Sequence, residues 1–194
     1  MNPLVQLIEA ALFASPRPVT VEELQMLDPD VSLSEVRQAL DQLREHYDFD
    51  GHGVEVGEVA GGFQILSRPA FAAAIERAQL NTKPSRLSGA MLETLATISY
   101  RQPVGRAEIE EIRGVNAAGV LRTLQERGLI EVVGRSEAMG RPLLYGTTPL
   151  FLELLGLPDL ANLPRSDELS IALKPPKPEM IEDQDTAAFV EAES

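Results

Sequence analysis

Apolar positions recur along this chain at helical spacing, and polar residues of a particular kind announce each recurrence. Leu4, Leu7, Ile8, Ala11 and Leu12 fall on one face of an α-helix that ends before Pro18. Val19-Thr20 with Glu23-Leu24 then reads as a helix start: Thr20 caps, Glu23 closes a capping box, and Val19 staples to Leu24. Val31-Ser32 with Glu35-Val36 repeats the signal, and the helix it opens carries Val36, Leu40, Leu43 and Tyr47 as its apolar stripe. Beyond it the period drops to two. Val54-Glu55-Val56 and Phe63-Gln64-Ile65 flank Ala60-Gly61-Gly62, which predicts a β-hairpin, and a further helix is expected over Pro69–Gln79.

The same series then starts again. Leu92, Leu95, Ile98 and Ser99 predict a helix closed by Pro103. Val104-Gly105 with Glu108-Ile109 restates the first helix start, and Val115-Asn116 with Val120 restates the second. The helix carrying Leu121 and Leu124 ends at Gly128, a residue suited to a helix C-terminus. Leu129–Val133 and Leu143–Tyr145 predict a second hairpin, and Pro149–Leu155 a closing helix. A duplicated unit of helix, helix, helix and hairpin is the winged-helix arrangement, a variant of helix-turn-helix. The expected fold class is mainly α with small β-hairpins, an α+β chain of two tandem winged-helix domains. Residues 1–80 form the first domain, 81–87 a linker and 88–164 the second. Residues 165–194, rich in Pro and acid and without core periodicity, form a disordered tail.

Composition removes several function classes. The chain has no cysteine, which rules out thiolate metal sites and cysteine nucleophiles. Its two histidines, His46 and His52, are too few for a zinc site without thiolate partners. No glycine-rich loop ends in Gly-Lys-Ser/Thr, and the glycines at 51, 53 and 57 do not make a dinucleotide fingerprint. No enzyme activity and no cofactor are therefore expected. The start has no basic region before its apolar run, and no apolar stretch reaches membrane-spanning length, so a cytoplasmic location is expected.

Charge sharpens the picture. The formal net charge is −13. Residues 1–80 hold 5 basic against 13 acidic groups, residues 81–164 hold 9 of each, and residues 165–194 hold 3 against 8. Tight DNA binding normally leaves a basic footprint, and only the neutral middle could supply one. Its candidates are Arg122 and Arg127 on the third helix of the second unit, with Arg135 and Arg141 in the hairpin. The plain alternative is that these arginines cap helices, staple loops or touch protein. Tyr100 and Arg101 could form a partner-contacting edge, although Tyr100 also suits packing at a helix end. The paired carboxylates Glu22-Glu23 and Glu110-Glu111 are expected in first helical turns, where they favour the dipole rather than acid–base chemistry. Phe151, Leu152, Leu154 and Leu155 cover more of a short helix than one core-facing stripe needs, so they either complete the second core or offer a surface to a partner helix.

Several runs of the second unit are distinctive: Tyr100-Arg101-Gln102-Pro103-Val104, Arg106 through Val115, Leu124-Gln125-Glu126-Arg127-Gly128-Leu129-Ile130-Glu131, and Gly140-Arg141-Pro142-Leu143-Leu144-Tyr145-Gly146-Thr147-Thr148-Pro149. In this order and spacing they closely resemble the second winged helix of the segregation and condensation protein B family. The first unit resembles it more loosely, through Ile8–Ala14 and Glu22-Glu23-Leu24. The resemblance implies a non-enzymatic subunit of the bacterial SMC–kleisin complex that acts in chromosome condensation and segregation at the nucleoid. It further implies a homodimer formed through the first domain and binding to the kleisin subunit (segregation and condensation protein A), and through it the SMC ATPase. DNA contact would be indirect or weak. The rival reading is a DNA-binding winged-helix transcription regulator.

Overall fold

The computed structural model describes residues 2–49, 51–78 and 87–164, and residues Met1–Asn162 group into one compact unit. The expected disordered tail lies outside the described residues, as does all of the expected linker except Leu87. Among the described residues the chain is an α+β structure of helices and two small antiparallel sheets.

Helix α1 (Pro3–Ala14) starts where Asn2 accepts the Leu4 amide at 3.1 Å and Pro3 fills the first turn without needing a donor. It buries Val5, Ile8 and Leu12 against α3 and the hairpin. Leu7, expected on the stripe, is 40% exposed while Val5 is 1% exposed. The apolar surface of α1 is wider than its contact, so the packing partner selects which edge is covered. Helix α2 (Val21–Gln25) begins with the expected box: Thr20 Oγ1 accepts the Glu23 amide at 3.2 Å and Glu23 accepts the Thr20 amide at 3.0 Å. Val19 pairs as an isolated antiparallel bridge with Phe63.

Helix α3 (Leu33–Phe49) opens with Ser32 and Glu35 exchanging side chain and amide, and buries Val36, Ala39, Leu40, Leu43 and Tyr47 at helical spacing. Strands β1 (Val54–Val59) and β2 (Gly62–Ser67) pair in register from Val54↔Ser67 to Val59↔Gly62. The two residues between them, Ala60 and Gly61, both have positive φ, the turn whose twist matches that of paired strands. Gly62 gives the room for the Val19–Phe63 approach: a Cβ there would lie 3.0 Å from the Pro18 side chain and the Val19 backbone, so the bridge would have to give by a few tenths of an ångström. A 3₁₀ turn at Pro69–Phe71 and a short α4 (Ala72–Arg77) stand where one helix was expected over Pro69–Gln79.

The second series runs α5 (Gly89–Arg101), β3 (Val104–Gly105), α6 (Arg106–Arg113), α7 (Ala118–Glu126), β4 (Ile130–Arg135), β5 (Leu143–Thr147) and α8 (Pro149–Leu155). Ser88 caps α5, which buries Met91, Thr94, Leu95, Ile98 and Ser99. Leu92, expected on the stripe, is 53% exposed, and Met91 beside it is buried in its place. Strand β3 pairs with β5 through Val104↔Tyr145, as Val19 pairs with Phe63 in the first series. Asn116, expected to cap α7, accepts the Ala118 amide at 3.0 Å from one position before the cap residue Ala117. Leu121 and Leu124 are 2% and 0% exposed, as the stripe required.

Candidate partner-binding surface

Polar side chains that brace the second series from inside fix what is left on its surface. Gln102, just beyond α5, accepts the Thr147 amide at 2.6 Å and donates to the Thr147 hydroxyl at 3.0 Å, so the end of α5 is held to β5. Arg113, with its side chain only 8% exposed, donates to Thr94 at 2.7 Å and to Glu93 at 2.8 Å, fastening α6 to α5. Its Nε is buried without a hydrogen-bond partner.

Glu110 does not stand in the first helical turn expected for it. With Glu111 it lies in the second turn of α6, where the helix dipole gives little. Its carboxylate instead accepts the Ala117 amide at 2.9 Å and Arg106 at 2.8 Å, closing the connection to α7. The Ala117 bond and then Arg106 hold its pKa below the usual glutamate range. Glu22 and Glu23 do occupy the first turn of α2.

The candidate residues are distributed as follows. Tyr100 and Arg101 end α5; Tyr100 is 42% exposed and Arg101 is also exposed. Arg122 stands on α7 with 82% of its side chain exposed, and its Nε donates to Glu126 at 2.8 Å, which raises its pKa. Arg127 is the C-cap of α7 and is half-buried. Five residues apart on a helix is a rotation of about 140°, so these two side chains leave the helix on different sides. Arg135 and Arg141 do meet, across the open end of the second hairpin: Arg135 Nη1 donates to the Arg141 carbonyl at 3.3 Å, and Arg141 has a φ of 44°. Between Ala118 and Pro142 four arginines are interleaved with Glu126, Glu131 and Glu137. The stretch offers almost no net positive field for a phosphate backbone.

Helix α8 resolves the question its composition raised. Phe151 is 3% exposed and joins the core, and Leu152 is half-buried. Leu150, Leu154 and Leu155 are 46%, 45% and 49% exposed, with Leu160 beyond them at 41%. The core reading therefore holds for Phe151, while Leu154 and Leu155 are left exposed. Thr148 donates its hydroxyl to the Gly128 carbonyl at 2.5 Å, and Gly156 closes α8 in the left-handed conformation. The helix is thus anchored at its start and ended cleanly, with its leucines presented on a fixed backbone.

In the first series the helix equivalent to α7 is tied into its own hairpin. Arg44 donates to the Val56 carbonyl at 3.2 Å, lies 5.0 Å over the Phe63 ring and reaches Glu58 at 3.8 Å. Arg68 gathers His52 O, Tyr47 O, Asp48 and Glu55. The buried Tyr47 hydroxyl donates to Glu9 at 2.6 Å, and burial, then that bond, push its pKa to about 12. None of these ties has a local spacing in the sequence; each joins residues far apart in the chain. Among the described residues no group of three or more His, Asp or Glu side chains converges where a metal could sit, and no helix is long and apolar enough to cross a membrane.

The family model described as "Segregation and condensation complex subunit ScpB" matches residues 6–166. The segregation and condensation protein B of Moorella thermoacetica is 47% identical over 163 residues, covering 84% of this chain and 83% of that protein. That of Syntrophotalea carbinolica is 42% identical over 167 residues, with 86% and 84% covered. Among solved structures, ScpB from Mycobacterium tuberculosis is 36% identical over 79% of this chain and 95% of its own, with a TM-score of 0.37. The matched region takes in both series of elements, from α1 through α8, and on that extent of agreement the chain belongs to the segregation and condensation complex subunit ScpB family.

Proposed function

We propose that this chain is a non-enzymatic subunit of an SMC–kleisin complex, acting in chromosome condensation, partition and cell division at the nucleoid. In this reading the two series of elements are two winged-helix domains, 1–80 and 88–164. The first forms the homodimer, and the chain binds the kleisin subunit and through it the SMC ATPase. The observation that carries the reading, beyond family membership, is the row of half-exposed leucines on α8: Leu150, Leu154 and Leu155. Leucines held by a folded scaffold and left uncovered are suited to an apolar helix of a partner. Tyr100 and Arg101, at the end of α5, supply a second candidate edge.

A transcription regulator is the rival, and the arrangement of its would-be reading residues favours it less. Arg122 is neutralised by Glu126, Arg135 is bound to a carbonyl, and the equivalent helix of the first series carries Glu35, Asp41, Glu45 and Asp48.

Light scattering on a sizing column tests the proposal, using the full chain alone and mixed with the kleisin of the same cell. A dimer that shifts to a defined larger complex is expected, and Leu154→Glu with Leu155→Glu is expected to weaken that shift at least tenfold while leaving the dimer. An unshifted peak with both proteins folded overturns it.

A further inference from the structure

The tip of the first hairpin makes bonds that its own strands do not require. Within a two-residue turn of this type the amides of the central residues have no acceptor in the hairpin and face outward. Here the Ala60 amide donates to the Leu157 carbonyl and the Gly61 amide to the Pro158 carbonyl, each at 2.9 Å. The acceptors are presented by the end of α8. Gly156 turns left-handed at φ 65°, the Leu157 amide returns to the Leu152 carbonyl at 3.0 Å, and the next two carbonyls are left free of the helix. The elements that pack extensively do so within one series or the other, so this joint ties together two bodies that each hold their own core.

We propose that the Ala60-Gly61 tip and the Leu157-Pro158 carbonyls form a latch between the two halves. Closed, it presents the first half and the α8 leucines as one surface. Open, it leaves the first half and the α8 leucines as separate surfaces. The strength of the joint suits a switch. Two backbone hydrogen bonds at a half-exposed site together favour the closed form by roughly 10- to 100-fold, far less than the equilibrium that keeps a core folded. Ala60 is the residue that sets the geometry, because it holds a positive φ of 50° without being glycine. The latch does not depend on which partner the α8 face takes.

Residue-resolved amide exchange on the full chain tests this. Ala60 and Gly61 are expected to exchange roughly 10- to 100-fold more slowly than unprotected amides, yet many times faster than the core amides of Leu24 and Leu124. Unprotected rates at Ala60 and Gly61 would overturn the joint. Protection equal to the core would overturn the opening and make the two halves one rigid body. Because the chain has no cysteine, Ala60→Cys with Asp159→Cys gives an independent reading. A short bis-maleimide should cross-link the pair within one chain at high dilution, and cross-links found only between chains would overturn the latch.

Discussion

In the first half, the hairpin turns through two residues, and Arg44 and Arg68 fasten it to α3. In the second, residues 136–142 join the strands, a bulge interrupts the pairing between Val132 and Gly134, and Met139 stands fully exposed. The helices before them differ as well: α3 has 17 residues and α7 has 9. The order of elements is nonetheless the same, and so is the bridge that ties the residue after each proline to the hairpin. What both series must keep is the apolar interior, because a core loses several kcal/mol when one large side chain is lost. What they can change is the outer surface, where an exposed substitution costs little. The acidic, internally bound surface of the first half and the leucine-bearing α8 of the second are two uses of that freedom.

The comparison can be broken at its base. Leu43→Ala in the first half and Leu124→Ala in the second, both 0% exposed, are each expected to cost about 2–5 kcal/mol. Chemical denaturation would check this, and an unmoved midpoint for either would remove that residue from its core. A tie that only the first half contains is the Tyr47–Glu9 bond. Tyr47→Phe is expected to destabilise by about 2 kcal/mol, as for a hydrogen bond to a charged acceptor. A loss in urea titration below about 0.5 kcal/mol would mean that water replaces the hydroxyl. Equivalent helix starts also differ, Thr20 with its box against Gly105 without one. Thr20→Ala should cost about 1 kcal/mol, whereas Gly105→Ser, where a Cβ meets nothing closer than 3.9 Å, should gain a few tenths. Equal effects of the same sign would show that capping does not distinguish the two starts.

The smallest effect is electrostatic. Arg17, then the Thr20 amide, hold the Glu23 carboxyl down at about 2, below its ordinary 4.5. A carboxyl depressed on folding contributes stability above its unfolded pKa and loses it as pH falls through the folded one. That contribution should fade between about 4.5 and about 2. Thermal melting across this window should show a shallower acid loss for Glu23→Gln than for the natural chain, and parallel curves would remove the pair from the acid response.

Much of this was legible in the chain. Capping boxes at Thr20 and Ser32, the hairpin at Ala60-Gly61 and the burial of Leu121 and Leu124 follow from local periodicity and hydrogen-bond chemistry. The errors are equally local. Periodicity puts Leu7 and Leu92 in stripes that in fact cover Val5 and Met91, since a wide apolar face does not say which edge a neighbour will cover. The charge pattern points Glu110 to a helix dipole, while its carboxylate closes a loop that exists only once α7 is in place. The candidate arginines were named, but their pairing with Glu126 and with the Arg141 carbonyl follows from how each side chain leaves its element.

Local periodicity is enough for the main helices and hairpins, their order in both series and most of the buried stripe, because these depend on periods of 2 and 3.6 and on groups within a few residues of one another. Tertiary structure decided the rest: which leucines of α8 stay uncovered, that Tyr47 reaches Glu9, and that the hairpin tip finds Leu157 and Pro158. Those contacts join residues tens of positions apart. Their free energy comes from surfaces that exist only after each half has packed, so no local pattern can encode them.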